Sequence, residues 1–406
     1  MEVKELKNWI ENSDSIEKDR YFSLLKEAEE LFGEGDYHFV SSPGRSEIGG
    51  NHTDHQLGHI LAATLDIDNL AVFKRREDLK VCFIDRKLGK IELDLSDLSV
   101  KEEEKNTSAS LVRGIAAYLK QDFNIEPQGF EALCDPRVLI GSGISSSACF
   151  ELMIAYILAY FAGKDETEDY YSGICSRAEN NYFGKPSGQM DQYAIENGGL
   201  TAIDFSNMTI EQIPFSFKDY GYHLVLVNTK GSHDNLSDEY GKMPLEMKDV
   251  ARELGVDVLS KTSLEELLKH FNEIRGKLDN DRALLRAIHF FLEDPRAVQE
   301  KEAAKAGDID TFLHLIRESG RSSYMYLQNV YIFPKHQNLS LALALSEVVL
   351  KEEGAYRVHG GGLEGTIQAI VPDHLLQEYI RVLGDAFGED AVLCVDIREK
   401  GTCIII

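Results

Sequence analysis

The sequence predicts an α+β fold in two domains, and three observations carry that prediction. β-Branched and apolar runs read as strands in both halves of the chain, segments of helical spacing lie among them, and the two never settle into strict strand–helix alternation. The length of 406 residues suits two domains better than one. With 43% hydrophobic and 28% charged residues, the composition is that of a globular protein with ample core.

Taken in order, residues 3–33 are rich in Leu, Lys and Glu and have the spacing of one amphipathic helix. Residues 38–41 read as a strand that runs into a loop at Pro43-Gly44. Strands are predicted over 60–75 and 80–84, and a helix over 111–121. Residues 130–133 and 137–139 read as strands on either side of a turn at Asp135-Pro136. The strongest helical signal is 145–161, followed by a second helix over 170–180. Turn formers cluster from Gly198-Gly199 to Pro214, a natural junction, so the domains are placed at 1–210 and 211–406. Beyond it, 222–228 is a predicted strand, 245–319 is mostly helical, and strands at 356–358 and 366–371 flank a triple glycine. No repeat or low-complexity tract interrupts this order.

Sixty-nine acidic side chains against 43 basic ones give a net charge of −26, which repels phosphate backbones and anionic lipid. Nucleic acid and membrane are therefore not expected partners, although a local basic pocket can still hold an anionic substrate. The first residues, Met1-Glu2-Val3-Lys4-Glu5, lack the basic-then-apolar pattern of a secretory signal. The apolar run 152–163 is too short to span a bilayer. Six scattered cysteines without a C-x-x-C pair argue against a metal cluster or disulfide framework and for reduced thiols, so a cytoplasmic location is expected.

Four segments carry chemistry. Gly141-Ser142-Gly143-Ile144-Ser145-Ser146-Ser147-Ala148 pairs glycines that admit a close ligand with small hydroxyl residues opening a helix. The first turn of a helix offers unpaired N–H groups and a positive dipole end, a cradle for phosphate. No Lys follows the second glycine, so it is not a Walker loop. A plain capped helix is the alternative, but three serines exceed what one cap needs. The second segment, 43–58, crowds donors and acceptors (Arg45, Asn51, His52, Asp54, His55) among four glycines. A sugar needs such an array, because each hydroxyl both gives and takes a hydrogen bond; a polar surface loop or a metal set from His52, Asp54 and His55 are the alternatives. The third, 178–192, holds two acids, Glu179 and Asp191, which can divide metal holding from proton transfer or can simply be solvated carboxylates. The fourth, His359-Gly360-Gly361-Gly362-Leu363-Glu364-Gly365, is a turn that either closes over phosphates or joins two strands.

Together these segments resemble the GHMP kinase superfamily, and galactokinases within it. The galactokinase signature G-R-V-N-L-I-G-E-H-T-D-Y-N-x-G stands here as residues 44–58, and the phosphate loop G-L-S-S-S-A as Gly143-Ile-Ser-Ser-Ser-Ala148. C-G-x-M-D-Q stands as Ser187-Gly-Gln-Met-Asp-Gln192, and G-G-G-F-G-G as Gly360-Gly-Gly-Leu-Glu-Gly365. Order and spacing agree from about residue 40 to the C-terminus. The resemblance implies a two-domain GHMP kinase-like fold with the active site in the cleft between domains. It implies transfer of the ATP γ-phosphate to the anomeric hydroxyl of galactose, with Mg2+ as cofactor and a small sugar as partner; the oligomeric state is left open, a monomer included.

Carried over position by position, Asp191 takes the proton of that hydroxyl, and Arg45 lies against both Asp191 and the transferring phosphoryl group. Gly141, Ser142, Gly143, Ile144, Ser145, Ser146 and Ser147 cradle phosphates, with Ser147 and Glu179 as magnesium ligands. Asp54 accepts from two sugar hydroxyls, while Asn51, His52, Gly188 and Tyr240 complete the pocket. Tyr240 is matched through the looser motif Asn235-Leu-Ser-Asp-Glu-Tyr240.

Three departures from the family pattern bear on the sugar, the packing of the late turn and the nucleotide. The family Glu that reaches the C6 hydroxyl is Asn51, and the next Tyr-Asn is His55-Gln56, as in plant galacturonate kinases; galacturonate is thus a rival to galactose. Phe-Gly of the late turn is Leu363-Glu364, and an aromatic on the adenine side near the 111–121 helix is absent, Trp9 being the one tryptophan. Sugar sensors of the superfamily, which bind without turnover, lack part of the serine loop; here the loop is complete, which favours an enzyme.

Overall fold

Two sheets organise the chain, and the site lies where they meet. The computed structural model describes residues 1–13, 17–138, 143–164, 170–185, 187–231, 237–330, 334–363 and 365–406. The first sheet begins with β1 (Tyr37–Gly49), β2 (His59–Arg75), β3 (Lys80–Asp85), β4 (Gly89–Asp94) and β5 (Phe130–Pro136), and continues through β6 (Leu200–Asp204) and β7 (Thr209–Ile213). The second is formed by β8 (Tyr222–Asn228), β9 (Ala355–Val358), β10 (Thr366–Pro372) and β11 (Val392–Val395), all antiparallel in the order β11-β8-β10-β9. The last strand, β12 (Cys403–Ile404), returns to the first sheet and pairs with β1, giving the order β12-β1-β2-β5-β3-β4.

β2 is long enough to hold two partners on one edge: β6 pairs with its first residues, 59–63, and β5 with its last, 69–75. The β6–β7 hairpin occupies the segment expected to be a junction, because Leu200, Ile203 and Ile213 bury into the first half of the molecule. Residues 3–33 form two helices rather than one, α1 (Val3–Asn12) and α2 (Lys18–Phe32), since the backbone turns extended at Ser13. α3 (Ser108–Phe123), α4 (Ser146–Phe161), α5 (Ser172–Ala178) and α6 (Met190–Asn197) cover the first sheet. The second half adds α7 (Ser237–Glu253), α8 (Leu264–Lys269), α9 (Phe271–Leu278), α10 (Asp281–Ala306), α11 (Ile309–Ser322), α12 (Asn338–Leu350) and α13 (Leu376–Phe387). Among the described residues, no helix is long and apolar enough to cross a membrane.

α4 is apolar nearly all round and sits inside the largest core cluster, with Leu152, Ile154, Ile157 and Leu158 buried against the sheet and its covering helices. That burial fixes the height of its first turn and so of the serine loop. Two expectations are corrected here. Pro43-Gly44 is not a loop: β1 runs through it with a register shift between Pro43 and Arg45, a place where the missing proline N–H costs no ladder bond. Asp135-Pro136 is not a turn but the end of β5, which runs unbroken from Phe130 and pairs Pro136 with Asn69 of β2. Leu139, the end of the second strand expected there, lies outside the described residues.

Candidate active site

Arg45 leaves β1 at its irregular register and crosses to α6. Its Nε donates to Asp191 Oδ1 at 2.7 Å, and its NH1 donates to the Gly143 carbonyl at 2.7 Å. NH2 has no partner among the described residues. Asp191 lies in the first turn of α6, where the helix dipole favours a carboxylate. Its second oxygen accepts from the Ser145 hydroxyl. Burial pushes this carboxyl up, but the Arg45 charge and hydrogen bond, with the Ser145 hydroxyl, outweigh it and hold the group below the usual carboxylate range. With 32% of its side-chain surface open, Asp191 remains reachable by a substrate hydroxyl.

Ser145 precedes α4 in a left-handed conformation and makes no side-chain cap bond. Its hydroxyl goes to Asp191 instead, so the capped-helix alternative fails and the N–H groups of the first turn stay available to a ligand. Ser146 and Ser147 line the cavity beside this turn, whereas Ile144 buries its side chain in the core and its carbonyl accepts from the Arg45 backbone N–H at 3.2 Å; Gly141 and Ser142 lie outside the described residues.

Glu179 sits where α5 gives way to a π-helical turn, Glu179–Phe183, a bulge type frequent at functional sites. Its carboxylate accepts from Ser187 Oγ at 2.5 Å, Gln192 Nε2 at 3.3 Å and Lys185 Nζ at 3.2 Å. Behind it Gln192 also donates to the buried Glu151 at 2.9 Å, so Glu179 is held from two sides. Ser147 and Glu179 line one cavity of about 420 Å³. Two hard oxygen donors fit a magnesium ion that completes its shell with phosphate oxygens and water, and no cluster of three or more His, Cys, Asp or Glu among the described residues suggests another metal. One wall of that cavity is apolar, formed by Phe83, Ile91, Leu111, Phe150, Met153 and Phe183, while Asn69, Asp85, Lys87 and Lys185 add polar groups. Phe83 of β3, Phe150 of α4 and Phe183 of the π turn give that wall its aromatic rings.

On the other side of Arg45, β1 ends at Gly49 and a short turn leads to a single 3-10 turn, Asp54–Gln56. Asp54 lies against Gly188 so closely that any side chain there would collide with its carboxylate. Burial, then the charge of Glu47, pushes Asp54 up to about 7. His52, at φ 60°, turns its ring toward the Gly361 carbonyl at 3.4 Å, and burial pushes it down to about 4. Tyr240 Oη donates to the Gly362 carbonyl at 2.6 Å; the first residues of its motif, Asn235 and Leu236, lie outside the described residues. Glu364 of the late turn is outside them as well. The glycine turn at 360–362 therefore offers its carbonyls to Asn51, His52 and Tyr240.

Asn51 corrects an expectation. It is fully buried, and every polar position is used. Nδ2 donates to Glu47 Oε1 and the Gly360 carbonyl, both at 2.8 Å, while Oδ1 accepts from Ser323 and Asn329, both at 3.0 Å. Its backbone N–H reaches Glu293 at 3.2 Å and its carbonyl accepts from His289 at 2.9 Å, one turn apart on α10. Nothing remains to offer a sugar. His289, Glu293, Lys185, Glu151 and the apolar cavity wall were not foreseen; of these only Lys185 lies inside a recognisable motif.

Comparison with known proteins bears on the family. The model of the GHMP kinases N terminal domain matches residues 110–199, and that of the galactokinase galactose-binding signature matches 28–75. The chain is 26% identical to a galactokinase of Lactobacillus helveticus over 383 residues, 91% of this chain and 95% of that one. With a galactokinase of Streptococcus suis it shares 28% over 370 residues, covering 89% and 91%. In structure it resembles Lactococcus lactis galactokinase complexed with galactose, at TM-score 0.82 and 24% identity over 95% of this chain and 99% of the other. Methanococcus jannaschii mevalonate kinase matches at TM-score 0.61 and 15% identity, covering 89% and 99%, a likeness of fold alone. Two matched models in the right order, relatives spanning nearly the whole chain and a shared fold make this chain a member of the GHMP kinase superfamily, on its galactokinase branch.

Proposed function

We propose that the chain transfers the γ-phosphate of ATP to the anomeric hydroxyl of galactose, giving galactose 1-phosphate. The observation that carries the reading is the arrangement at Asp191: one oxygen on Arg45, the other on Ser145, at the mouth of a long helix whose first N–H groups are uncapped. Asp191, kept ionised by Arg45, accepts the sugar proton or orients the hydroxyl while the phosphoryl group moves. Arg45 faces the same group with its free NH2 and stabilises the charge that develops there. The first turn of α4, with Gly143 to Ser147, binds the phosphates. Ser147 and Glu179 hold Mg2+, which neutralises phosphate charge when bound. Adenine is expected in the apolar wall of the adjoining cavity.

Asp54, with His52, Gly188 and Tyr240 around it, accepts from the sugar hydroxyls. Galacturonate gains no support at Asn51, because that side chain is buried and saturated, and Arg357, which shares Glu47 with it, is spent on that carboxylate. The complete serine loop speaks against a sensor. The active site uses one chain, consistent with a monomer of two domains, with the expected boundary at 210 moved past the end of β7 at Ile213 and the site between them; six free cysteines fit a cytoplasmic location.

The test is ATP consumption with Mg2+ against galactose, galacturonate, N-acetylgalactosamine, arabinose and glucose. Turnover highest on galactose is the expected result. Turnover confined to galacturonate would overturn the substrate, and binding without turnover on any sugar would overturn the reaction.

A further inference from the structure

His359, at the head of the late glycine motif, is left without a task by the proposed mechanism. It follows β9 directly, its backbone N–H still pairing with Thr366 of β10 at 2.9 Å, and its ring is buried. The hydrogen bonds around it decide its tautomer. Gln368 spends both amide hydrogens on the Glu47 and Ile48 carbonyls, at 2.8 and 3.2 Å, so its Oε1 must accept. Ser46 gives its single proton to that oxygen at 2.8 Å. The Ser46 oxygen, 3.0 Å from His359 Nε2, can then only accept, and Nε2 carries the hydrogen. Nδ1 is left as a bare acceptor, buried and without a partner among the described residues.

That acceptor faces the phosphate loop. A methyl group on Gly143 would stand 3.2 Å from Nδ1 and 3.1 Å from the Thr366 hydroxyl, and Gly143 itself holds φ at 78°. Gly143 is also the residue whose carbonyl takes the Arg45 NH1. A second proton on the ring is opposed by burial and by Arg45 and Arg357, with only Asp191 drawing it the other way, so the lone pair persists.

We propose that His359 is a positioning residue for phosphoryl transfer that sets Arg45 from two sides. Through Nε2 it ties down Ser46, the neighbour of Arg45 in β1. Through Nδ1 it stands ready to take a backbone N–H at Gly143 when nucleotide seats the loop, which holds the Gly143 carbonyl against Arg45. The inference rests on the kinase reading above.

The two ring nitrogens can be separated by substitution. Glutamine reaches Ser46 with its amide nitrogen but leaves no acceptor at the Nδ1 position; asparagine places an amide oxygen near Nδ1 and gives up Ser46. Expected for His359→Gln is a kcat at least tenfold lower, with the galactose KM within twofold and the melting temperature near that of the wild type. His359→Asn should recover most of that kcat while melting lower. Equal kcat in His359→Gln and wild type, or a loss in His359→Asn as deep as in His359→Ala, would reduce His359 to a structural tie and overturn the proposal. A loss seen only in KM would overturn it too. Absence of sugar kinase turnover in the wild type would instead defeat the kinase reading, and the melting data keep the two failures apart.

Discussion

Arg45 and Asn51 belong to one short polar segment, and the structure sends them to opposite ends of usefulness. Arg45 keeps a nitrogen in reserve: Nε and NH1 are engaged by Asp191 and Gly143, and NH2 is open. Asn51 has nothing in reserve, with Glu47, Gly360, Ser323 and Asn329 on its side chain and α10 on its backbone. Both are buried and both are polar, so neither burial nor residue type separates them. What separates them is whether the chain satisfies the group by itself. A buried polar atom with an unfilled position is held ready for a ligand; a filled one holds the fold.

The largest effect should come at the open end. Asp191→Asn keeps the shape but removes the charge that faces Arg45 and the sugar proton. It should lower kcat roughly a thousandfold with little change in galactose KM or melting temperature, read by ADP release and a thermal melt. A kcat within threefold of wild type would remove Asp191 from the chemistry.

At the closed end the loss should be in stability. Asn51→Glu, which restores the residue galactokinases carry, buries a second carboxylate beside Glu47 and strips the Nδ2 donor from Glu47 and the Gly360 carbonyl. A destabilisation of about 3 kcal/mol is expected, with no gain in galactose affinity. A variant that melts like wild type and binds galactose more tightly would show that residue 51 faces the sugar, and the contrast with Arg45 would collapse.

Asp54 is an intermediate case, open to substrate yet poorly solvated. Its carboxyl, pushed up to about 7 by burial and then by Glu47, is half protonated near neutrality. A raised acid pKa favours the folded state at low pH, and that contribution is lost as pH rises through about 7. Sugar hydroxyls prefer the ionised acceptor, so galactose KM should fall by about tenfold between pH 6 and pH 8 while the free protein melts lower. Asp54→Asn should flatten the KM profile; an unchanged slope in that variant would assign the titration elsewhere.

Much of this was legible in the sequence. The serine loop, Glu179 and Asp191 come together as their motifs imply, and α4 starts within a residue of where apolar spacing puts it. Fold class was readable because long strands such as β2 and β8 carry their apolar pattern locally. The misreadings share one cause: local grammar cannot see partners far along the chain. Pro43-Gly44 looks like a loop until β2 pairs across it. The segment after Gly198 looks like a junction until the same strand collects it as a hairpin. Asn51 looks like a sugar contact until α10, Ser323 and Asn329, all from the other half of the sequence, consume it. His359 had its motif in plain view, but its tautomer follows only from Ser46 and Gln368 together.

The nucleotide cavity gives the smallest expected effect and the cleanest partition between substrates. Its apolar wall is assembled from separate elements, with Phe150 of α4 edge-on to Phe83 of β3 at 5.2 Å between ring centroids. Phe150→Leu keeps the wall apolar but withdraws one aromatic face. At ~25 cal/mol per Å² over about 50 Å² of lost contact, roughly 1 kcal/mol of ATP binding should go, near a fivefold rise in ATP KM. Galactose KM and kcat should stay within twofold, because Arg45, Asp191 and Asp54 stand on the other side of the serine loop. A shift in galactose KM instead would mean that the cavity serves the sugar, and the division of labour argued from Arg45 outward would have to be redrawn.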